Sequence, residues 1–208
     1  MSKAKKKGLF AFLLALLASA IVSGALLLSP ATVNAATGAE TAEDGTVTIS
    51  GVSNGNELFS AVREEGTAGQ PLVIRFAENT GMNFTVGEGG NLYDSATGEP
   101  LGAGNFITGN FIIYDEYTAA SSITLDLNGG SITLDTKSVK ALDVRGVELT
   151  IMNGAIKGTA SEYLATSDSA VTLENVDITF NYTPEATPAG GAAVKTSGAL
   201  TLAGARFT

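Results

Sequence analysis

The feature that most constrains the fold of this chain is a repeat of apolar residues in its second half. Four segments begin with an apolar–x–apolar triplet, at Leu125, Leu149, Val171 and Leu200. Four positions after each start stands a turn former, at Gly129, Asn153, Asn175 and Gly204. Seven positions after each start stands a further apolar residue, at Ile132, Ile156, Ile178 and Phe207. The starts are 24, 22 and 29 residues apart. A period of this size with strand and turn content is typical of stacked β-coils.

Stacked coils pair each strand in parallel with its counterpart about 4.8 Å away, and equivalent apolar residues pile up inside. A leucine-rich repeat would need L-x-x-L-x-L spacing, and an immunoglobulin-like sandwich would show no such register between segments. The repeat therefore predicts an all-β chain folded as a parallel β-helix, or solenoid. Four residues are predicted to lie in its core: Leu149, Ile151, Leu173 and Ile178. We expect Ile151→Asp to prevent folding.

The first 35 residues have the composition of an export signal. Four lysines between Lys3 and Lys7 precede an uncharged apolar run over 9–28, and Ser29-Pro30 and Val33-Asn34-Ala35 follow. This pattern predicts a signal peptide over 1–35, cleaved after Ala35, and an extracellular or cell-surface location. The apolar run, about 20 residues long, could alternatively remain as a membrane anchor. Membrane contact is expected through this segment alone, before cleavage.

The composition limits which binding partners and which catalytic or metal-binding chemistry can be expected. Residues 36–208 carry eight basic and 21 acidic groups, a net charge of −13, which repels nucleic acid. A polysaccharide or a host or cell-surface protein is the expected partner. The chain has no cysteine, histidine or tryptophan, which excludes disulfides, thiolate chemistry and the usual zinc ligands. A D-x-D-x-D-G calcium loop is also missing, so neither a metal nor a cofactor is predicted.

The first half of the chain is read as the entry to the β-helix. Residues 36–45 are predicted to be a flexible lead-in, and 46–79 to form an N-terminal cap built from a strand over 46–52, a short amphipathic helix and a strand over 71–76. In this cap Asn56 is the expected N-cap of the helix. Residues 80–122 read as loop-rich first coils, and 123–208 as the regular coils. Four residues are expected to tether the loop-rich part to the core: Phe84, Val86, Leu92 and Tyr93.

Asn153 and Asn175 fall in register at the turns and are predicted to form a structural ladder. Asparagine tolerates the left-handed backbone conformation and can hydrogen-bond to the neighbouring coil. Asn128 stands one residue too early for the same column. The alternative is that these are ordinary turn asparagines.

Four segments carry a resemblance to a known family: ITLDLNGGSITL (123–134), ALDVRGVELTIMNGAIKG (141–158), AVTLENVDITF (170–180) and AAVKTSGALTLAGARFT (192–208). They resemble the right-handed parallel β-helix proteins of the pectin-lyase-like superfamily, particularly the repeat-containing surface proteins and adhesins of bacteria. The resemblance implies three parallel sheets, with the amphipathic segment at 54–65 covering the first coil. Enzymes of this superfamily hold aspartates and basic residues on one sheet to act on uronates. This chain departs from them because it has no R-x-P-x-x-R motif.

Two small sets of residues are the candidates for a site. Asp143 and Arg145 lie two apart on the predicted strand ALDVRG and are the best acid–base candidates, although both could simply occupy the solvent face. Asp143→Asn is expected to be almost silent. The second set joins aromatic rings, which stack on sugars, to two acids, and is a candidate for ligand binding: Tyr114, Asp115, Glu116 and Tyr117.

These features predict an exported, cell-surface β-helix that is a non-catalytic adhesive or structural module and binds glycans. ALTLAGARFT ends in the middle of a coil, so the chain is expected to be the N-terminal part of a longer protein. The alternative is a secreted polysaccharide lyase or glycoside hydrolase whose active coils lie beyond residue 208.

Overall fold

The computed structural model describes residues 38–86, 92–94, 97–98, 111–114, 118–183 and 191–208. By its contacts the chain divides into two units, Met1–Asn34 and Ala35–Thr208, and all described residues belong to the second. The elements of that unit are β1 (Gly38–Thr41), β2 (Val47–Val52), α1 (Gly55–Glu64), β3 (Pro71–Phe76), β4 (Gly81–Val86), β5 (Leu92–Asp94), β6 (Phe111–Tyr114), β7 (Ser122–Asp126), β8 (Ser131–Arg145), β9 (Glu148–Ser167), β10 (Val171–Tyr182), β11 (Ala192–Thr196), β12 (Leu200–Ala203) and β13 (Arg206–Phe207). The predicted signal peptide lies outside the described residues.

The chain winds as a right-handed parallel β-helix of about five turns. Its strands pair in parallel on three faces. Face 1 holds β2, β3, β7, β12 and the first parts of β9 and β10. Face 2 holds β4, β13, the first part of β8, the middle of β9 and the later part of β10. Face 3 holds β6, β11 and the last parts of β8 and β9.

The core is a set of stacked apolar columns inside these faces. One column on face 1 runs through Ile49, Ile74, Leu125, Ile151, Leu173 and Leu202, each paired with the next. The first five are at most 3% exposed, whereas Leu202 is 51% exposed. Each buried side chain of this size contributes about 1.5–3 kcal/mol. The four residues predicted for the core are all at most 2% exposed, which confirms that prediction.

The predicted register is right for three of the four repeat units and wrong for the first. Leu149, Val171 and Leu200 are paired, but the residue opposite Leu149 in the preceding coil is Ile123 and not Leu125. Ile132 nevertheless pairs with Ile156 as expected. The turn between β7 and β8 is two residues longer than the turn at the same corner of the next coil, in β9, and this extra length restores the register on face 2.

The N-terminal end of the β-helix is covered by the α-helix α1, which contacts β2, β3 and β4. Leu58, Ala61 and Val62 are its buried side chains. The N-cap is Asn54 and not Asn56: Asn54 has an extended backbone, and its Oδ1 accepts a hydrogen bond from Glu57 N at 3.0 Å. Glu57 in turn accepts from Ser53 N at 2.7 Å, so both side chains satisfy free backbone donors at this end.

Two further features of the N-terminal half differ from the sequence prediction. Residues 38–41, expected to belong to a flexible lead-in, form β1, which pairs antiparallel with β2 and covers its outer edge. The segment after β4 is fastened by Asp94, which is fully buried and accepts a hydrogen bond from Gly55 N at 2.6 Å. A carboxylate suits this position because it lies at the positive end of α1. Of the expected tethers, Phe84 is buried but Val86 is 36% exposed.

The corner between faces 1 and 2 is built from asparagines in the left-handed conformation. Asn128, Asn153 and Asn175 have φ of 47°, 58° and 52°. Asn153 Nδ2 donates to Asp126 Oδ1 in the preceding coil at 3.1 Å, rather than to another asparagine. At the same corner of the next coil stands Gly204, where an added Cβ would come within 2.7 Å of Asn175 Oδ1.

Candidate functional site

A polar concavity of about 400 Å³ lies on face 3. Three strands from successive coils supply most of its lining: Lys140, Asp143 and Arg145 of β8, Tyr163, Thr166 and Ser167 of β9, and Lys195 of β11. Asp168 and Ser197 complete the rim just after β9 and β11. The concavity therefore depends on the stacking of coils, since no single coil contains it.

Strand register places the lining residues in columns that run along the helix axis. Asp143 pairs with Thr166, and Thr166 pairs with Lys195, so these three residues occupy equivalent positions on successive coils. Lys140 and Tyr163 are paired in the same way three residues earlier. Adjacent coils are about 4.8 Å apart, so Asp143 and Lys195 are separated by roughly 10 Å at the backbone.

Asp143 begins the column that continues through Thr166 to Lys195, and it is only 3% exposed. Its Oδ2 accepts hydrogen bonds from Lys140 Nζ at 3.0 Å and from Arg145 Nη2 at 2.8 Å, and its Oδ1 accepts one from Thr166 Oγ1 at 2.7 Å. The structure therefore corrects the expectation that Asp143 stands on the solvent face. Both carboxylate oxygens are engaged, so Asp143 is suited to holding two cations in place rather than to accepting a proton from a substrate.

Lys195 is the cation at the other end of the concavity. Its Nζ lies 3.3 Å from Tyr163 Oη and 4.8 Å from the centre of the Tyr163 ring. Within the described part of the chain, no carboxylate forms a salt bridge with it. A cation over an aromatic ring is stabilised by about 0.5–1 kcal/mol at an exposed site. Among the described residues, the ammonium group is thus positioned by an uncharged partner.

The charge of the concavity differs from that of the chain around it. Among the described residues that line it, three are basic, Lys140, Arg145 and Lys195, and two are acidic, Asp143 and Asp168, so these side chains sum to a charge of +1. Asp168 Oδ1 accepts from Gly146 N at 2.8 Å, which directs this carboxylate towards the backbone. These described side chains are thus more positive than residues 36–208 as a whole, whose net charge is −13.

The structure brings together the two residues of the first predicted set. It does not describe the side chains of the second set. Asp143 and Arg145 form an ion pair in the concavity. Tyr114 ends β6, and its side chain, like Asp115, Glu116 and Tyr117, lies outside the described residues.

Sequence reasoning missed Lys140, Thr166 and Lys195. One signal could have found part of this set, because the 29-residue interval between Val171 and Leu200 also separates Thr166 from Lys195. Applying the repeat spacing to the polar residues, and not only to the apolar ones, would have placed these two in one column.

A second polar cluster lies at the asparagine corner and has a structural role. Asp126 accepts hydrogen bonds from Asn153 Nδ2 at 3.1 Å, Arg75 Nε at 2.9 Å and Asn128 N at 3.2 Å. Desolvation on its own would raise the pKa of Asp126, but these three hydrogen bonds and the charge of Arg75 outweigh it and lower the pKa. The cluster ties three successive coils together.

Among the described residues, no group of three or more acidic side chains is arranged to hold a metal ion. None of the helical structure in that part has the length and apolar character needed to cross a membrane.

Comparisons with protein-family models, with curated proteins and with solved structures gave no match.

Proposed function

We propose that this protein is an exported, cell-surface β-helix protein of the pectin-lyase-like type that binds glycans without altering them. The concavity on face 3 carries the proposal. It places a tyrosine ring, hydroxyl groups and three cations on one polar surface, and glycan sites commonly combine such groups because sugars present both hydroxyls and apolar ring faces. The basic head and apolar run of residues 1–35 support export.

The non-catalytic part of the proposal is supported by the way the carboxylates are engaged. Both oxygens of Asp143 accept hydrogen bonds from side chains, and Oδ1 of Asp168 accepts from Gly146 N and from Ser169 Oγ, so three of these four carboxylate oxygens are already hydrogen-bonded. A glycosidase needs two carboxyl groups on either side of the scissile bond, about 5–9.5 Å apart. The engaged carboxylates therefore favour binding over turnover.

One observation favours a second candidate, a polysaccharide lyase or hydrolase. Lys140, Asp143 and Arg145 bring an aspartate and two basic residues together on one face, which is the kind of set that the resemblance to pectate lyases implies. The two candidates differ in product release, so one experiment separates them.

The test is binding of the purified protein to immobilised plant, bacterial and host glycans, followed by assays for reducing ends and for unsaturated sugars. Tyr163→Ala should weaken binding about fivefold, because the loss of a ring contact worth about 1 kcal/mol changes the dissociation constant by that factor. Tyr182→Ala is the matched control, since Tyr182 is an exposed tyrosine on face 2. Binding without released products supports the proposal. Released products would establish the second candidate, and failure to bind any glycan would overturn both.

A further inference from the structure

The chain contains three asparagines that are each followed by glycine: Asn54-Gly55, Asn128-Gly129 and Asn153-Gly154. Such a dipeptide can modify itself in water, because glycine has no side chain to keep its backbone nitrogen away from the side-chain amide carbon of the preceding asparagine. The reaction needs a backbone nitrogen that is free to move and an asparagine that is free to rotate. The structure around each dipeptide therefore decides whether it reacts.

Two of the three dipeptides are built into the stack of coils. Gly129 N donates a hydrogen bond to Asn153 O at 2.7 Å, which joins one coil to the next. Gly154 lies within β9 and pairs with Val176 of the following coil. A reaction at either position would require neighbouring coils to separate, and the paired strands of a core are among the last parts of a protein to open.

The third dipeptide, Asn54-Gly55, lies outside the stack, where the chain passes from β2 into α1. Gly55 N donates to Asp94 Oδ2 at 2.6 Å, and Asn54 Oδ1 accepts from Glu57 N at 3.0 Å. Neither hydrogen bond belongs to the pairing between coils. Both can break when the first turn of α1 opens, and a helix of ten residues at the end of the stack opens more often than the strands inside it.

We infer that Asn54-Gly55 is a deamidation site of this protein and that the other two dipeptides resist deamidation while the protein is folded. Gly55 N attacks Cγ of Asn54 and forms a cyclic imide, while the bond between Cγ and Nδ2 breaks and Nδ2 leaves as ammonia with the proton of Gly55 N. Water then opens the imide at one of its carbonyl groups and gives aspartate or isoaspartate. Nothing is oxidised or reduced, and water is the only other reactant. The inference is independent of glycan binding.

The products change the N-terminal cap of the β-helix. Isoaspartate at position 54 adds a carbon to the backbone and shortens the side chain, so its carboxylate no longer matches the N-cap geometry of Asn54. Aspartate would keep an N-cap oxygen, but it would add a second negative charge to the helix end that Asp94 already contacts. The covering of the first coil by α1 should therefore weaken as the protein ages.

The experiment compares the three dipeptides within one sample. Purified protein is incubated in mildly alkaline buffer, with and without denaturant, and each dipeptide is followed by mass spectrometry of its peptide. In denaturant all three should react at similar rates, because only the local sequence acts there. In native buffer Asn54 should react about tenfold faster or more than Asn128 and Asn153, because local opening is more frequent than opening of the stack. Equal rates in native buffer, or no reaction at Asn54 while the denatured chain reacts, would overturn the inference.

A variant tests the effect of the reaction on the cap. Asn54→Ser keeps an N-cap oxygen but has no amide to lose, so the freshly purified variant should unfold at nearly the same temperature as the unmodified chain. After the incubation, the unfolding temperature of the unmodified chain should fall and that of the variant should not. Asn56→Ser is the matched control, because it leaves Asn54-Gly55 intact and should age like the unmodified chain. Equal ageing of the two variants would overturn the inference that the cap weakens through Asn54.

Discussion

At the scale of single residues, the side chain that departs most from expectation is Asp143. Strand alternation turns it away from the apolar interior, yet its own neighbours bury it: Lys140, Arg145 and Thr166 all donate to it. A buried carboxylate with three donors is stable, but each donor loses a partner when the charge is removed. The residue therefore positions the cations of the concavity and supports the fold at the same time.

Asp143→Asn should lower the free energy of unfolding by about 1–2 kcal/mol, since an amide cannot neutralise both cations although it can still accept from Thr166. This replaces the expectation, drawn from the sequence, that the change is almost silent. Chemical denaturation of both proteins measures the difference. The control is Asp177→Asn, which breaks an ion pair between side chains that are 54% and 76% exposed and should cost less than about 0.5 kcal/mol. Equal effects of the two substitutions would contradict the prediction.

Asp126 should make the stability of the folded protein fall as the pH is lowered. Its pKa is lowered from 3.8 in the folded protein, so its contribution to stability is complete above that value and is lost as the pH falls through the folded pKa. Asp126→Asn should therefore destabilise the protein at pH 7 and make much less difference at the acid end of the transition. Thermal melting of both proteins from pH 7 down to about pH 2.5 would show the two curves converging. A constant separation between the curves would rule out this account of Asp126.

At the scale of elements, α1 shields the apolar end of the first coil from solvent, as a neighbouring coil shields every other coil. It covers the apolar end with Leu58, Ala61 and Val62, and its own N-terminus is satisfied by side chains from both directions in the sequence, Asn54 and Asp94. The helix is thus fastened to the strand before it and to the segment after β4. The stability of the cap depends on these few polar contacts, because a helix of ten residues is marginal alone.

Asn54→Ala should lower the free energy of unfolding by about 1 kcal/mol, the usual cost of removing an N-cap side chain. Asn56→Ala is the control, because Asn56 is the second residue of the helix and its side chain does not cap it. Hydrogen exchange of α1 amides, read together with denaturant unfolding, should show faster opening in the first variant alone. Similar behaviour of the two variants would mean that the N-cap has been assigned to the wrong residue.

At the scale of the whole molecule, stability comes from columns that continue from coil to coil. Ile151 is in contact register with Leu125 below and Leu173 above, and all three are buried. Its neighbour Thr150 belongs to the outer side of the same strand, where Thr124 and Thr172 are its partners. One strand thus has an inner position and an outer position with very different tolerance of charge.

Ile151→Asp should prevent folding, because an unpaired carboxylate would enter an apolar column, whereas Thr150→Asp should give a folded protein with nearly unchanged stability. Circular dichroism and the yield of soluble protein distinguish these outcomes. A folded Ile151→Asp variant would show that the assignment of inner and outer positions on face 1 is incorrect.

The fold could be predicted because its determinants recur within 22 to 29 residues. Leu149, Val171 and Leu200 stand in one column, and the turn residues Asn153 and Asn175 repeat with them. The first unit is misaligned because Ile123 and Leu125 are both apolar and buried, so the alternation allows either as the start. Only the length of the turn after Asp126 decides which of the two residues is the start, and the pattern of apolar residues does not give that length.

The site was less predictable because it joins residues 55 positions apart, from Lys140 to Lys195. Between Asp135 and Lys140 the pairing of β8 with β9 shifts register, and the connection between β10 and β11 differs in length from the other connections. The spacing on face 3 therefore varies from coil to coil, from 23 residues between Asp143 and Thr166 to 29 between Thr166 and Lys195. The sequence pointed to Asp143 and Arg145, but the cations that complete the concavity follow from the stacking alone.

The parallel pairing of coils also determines how the molecule would respond to tension. The chain enters at β1 at one end of the stack and reaches β13 at the other, so a pull on Thr208 loads the hydrogen bonds of one coil before those of the next. Coils would then peel off singly rather than shear together. Each 22-residue coil, such as the one from Leu149 to Val171, would add about 75 Å of extended chain, so the protein would lengthen in regular steps at modest force.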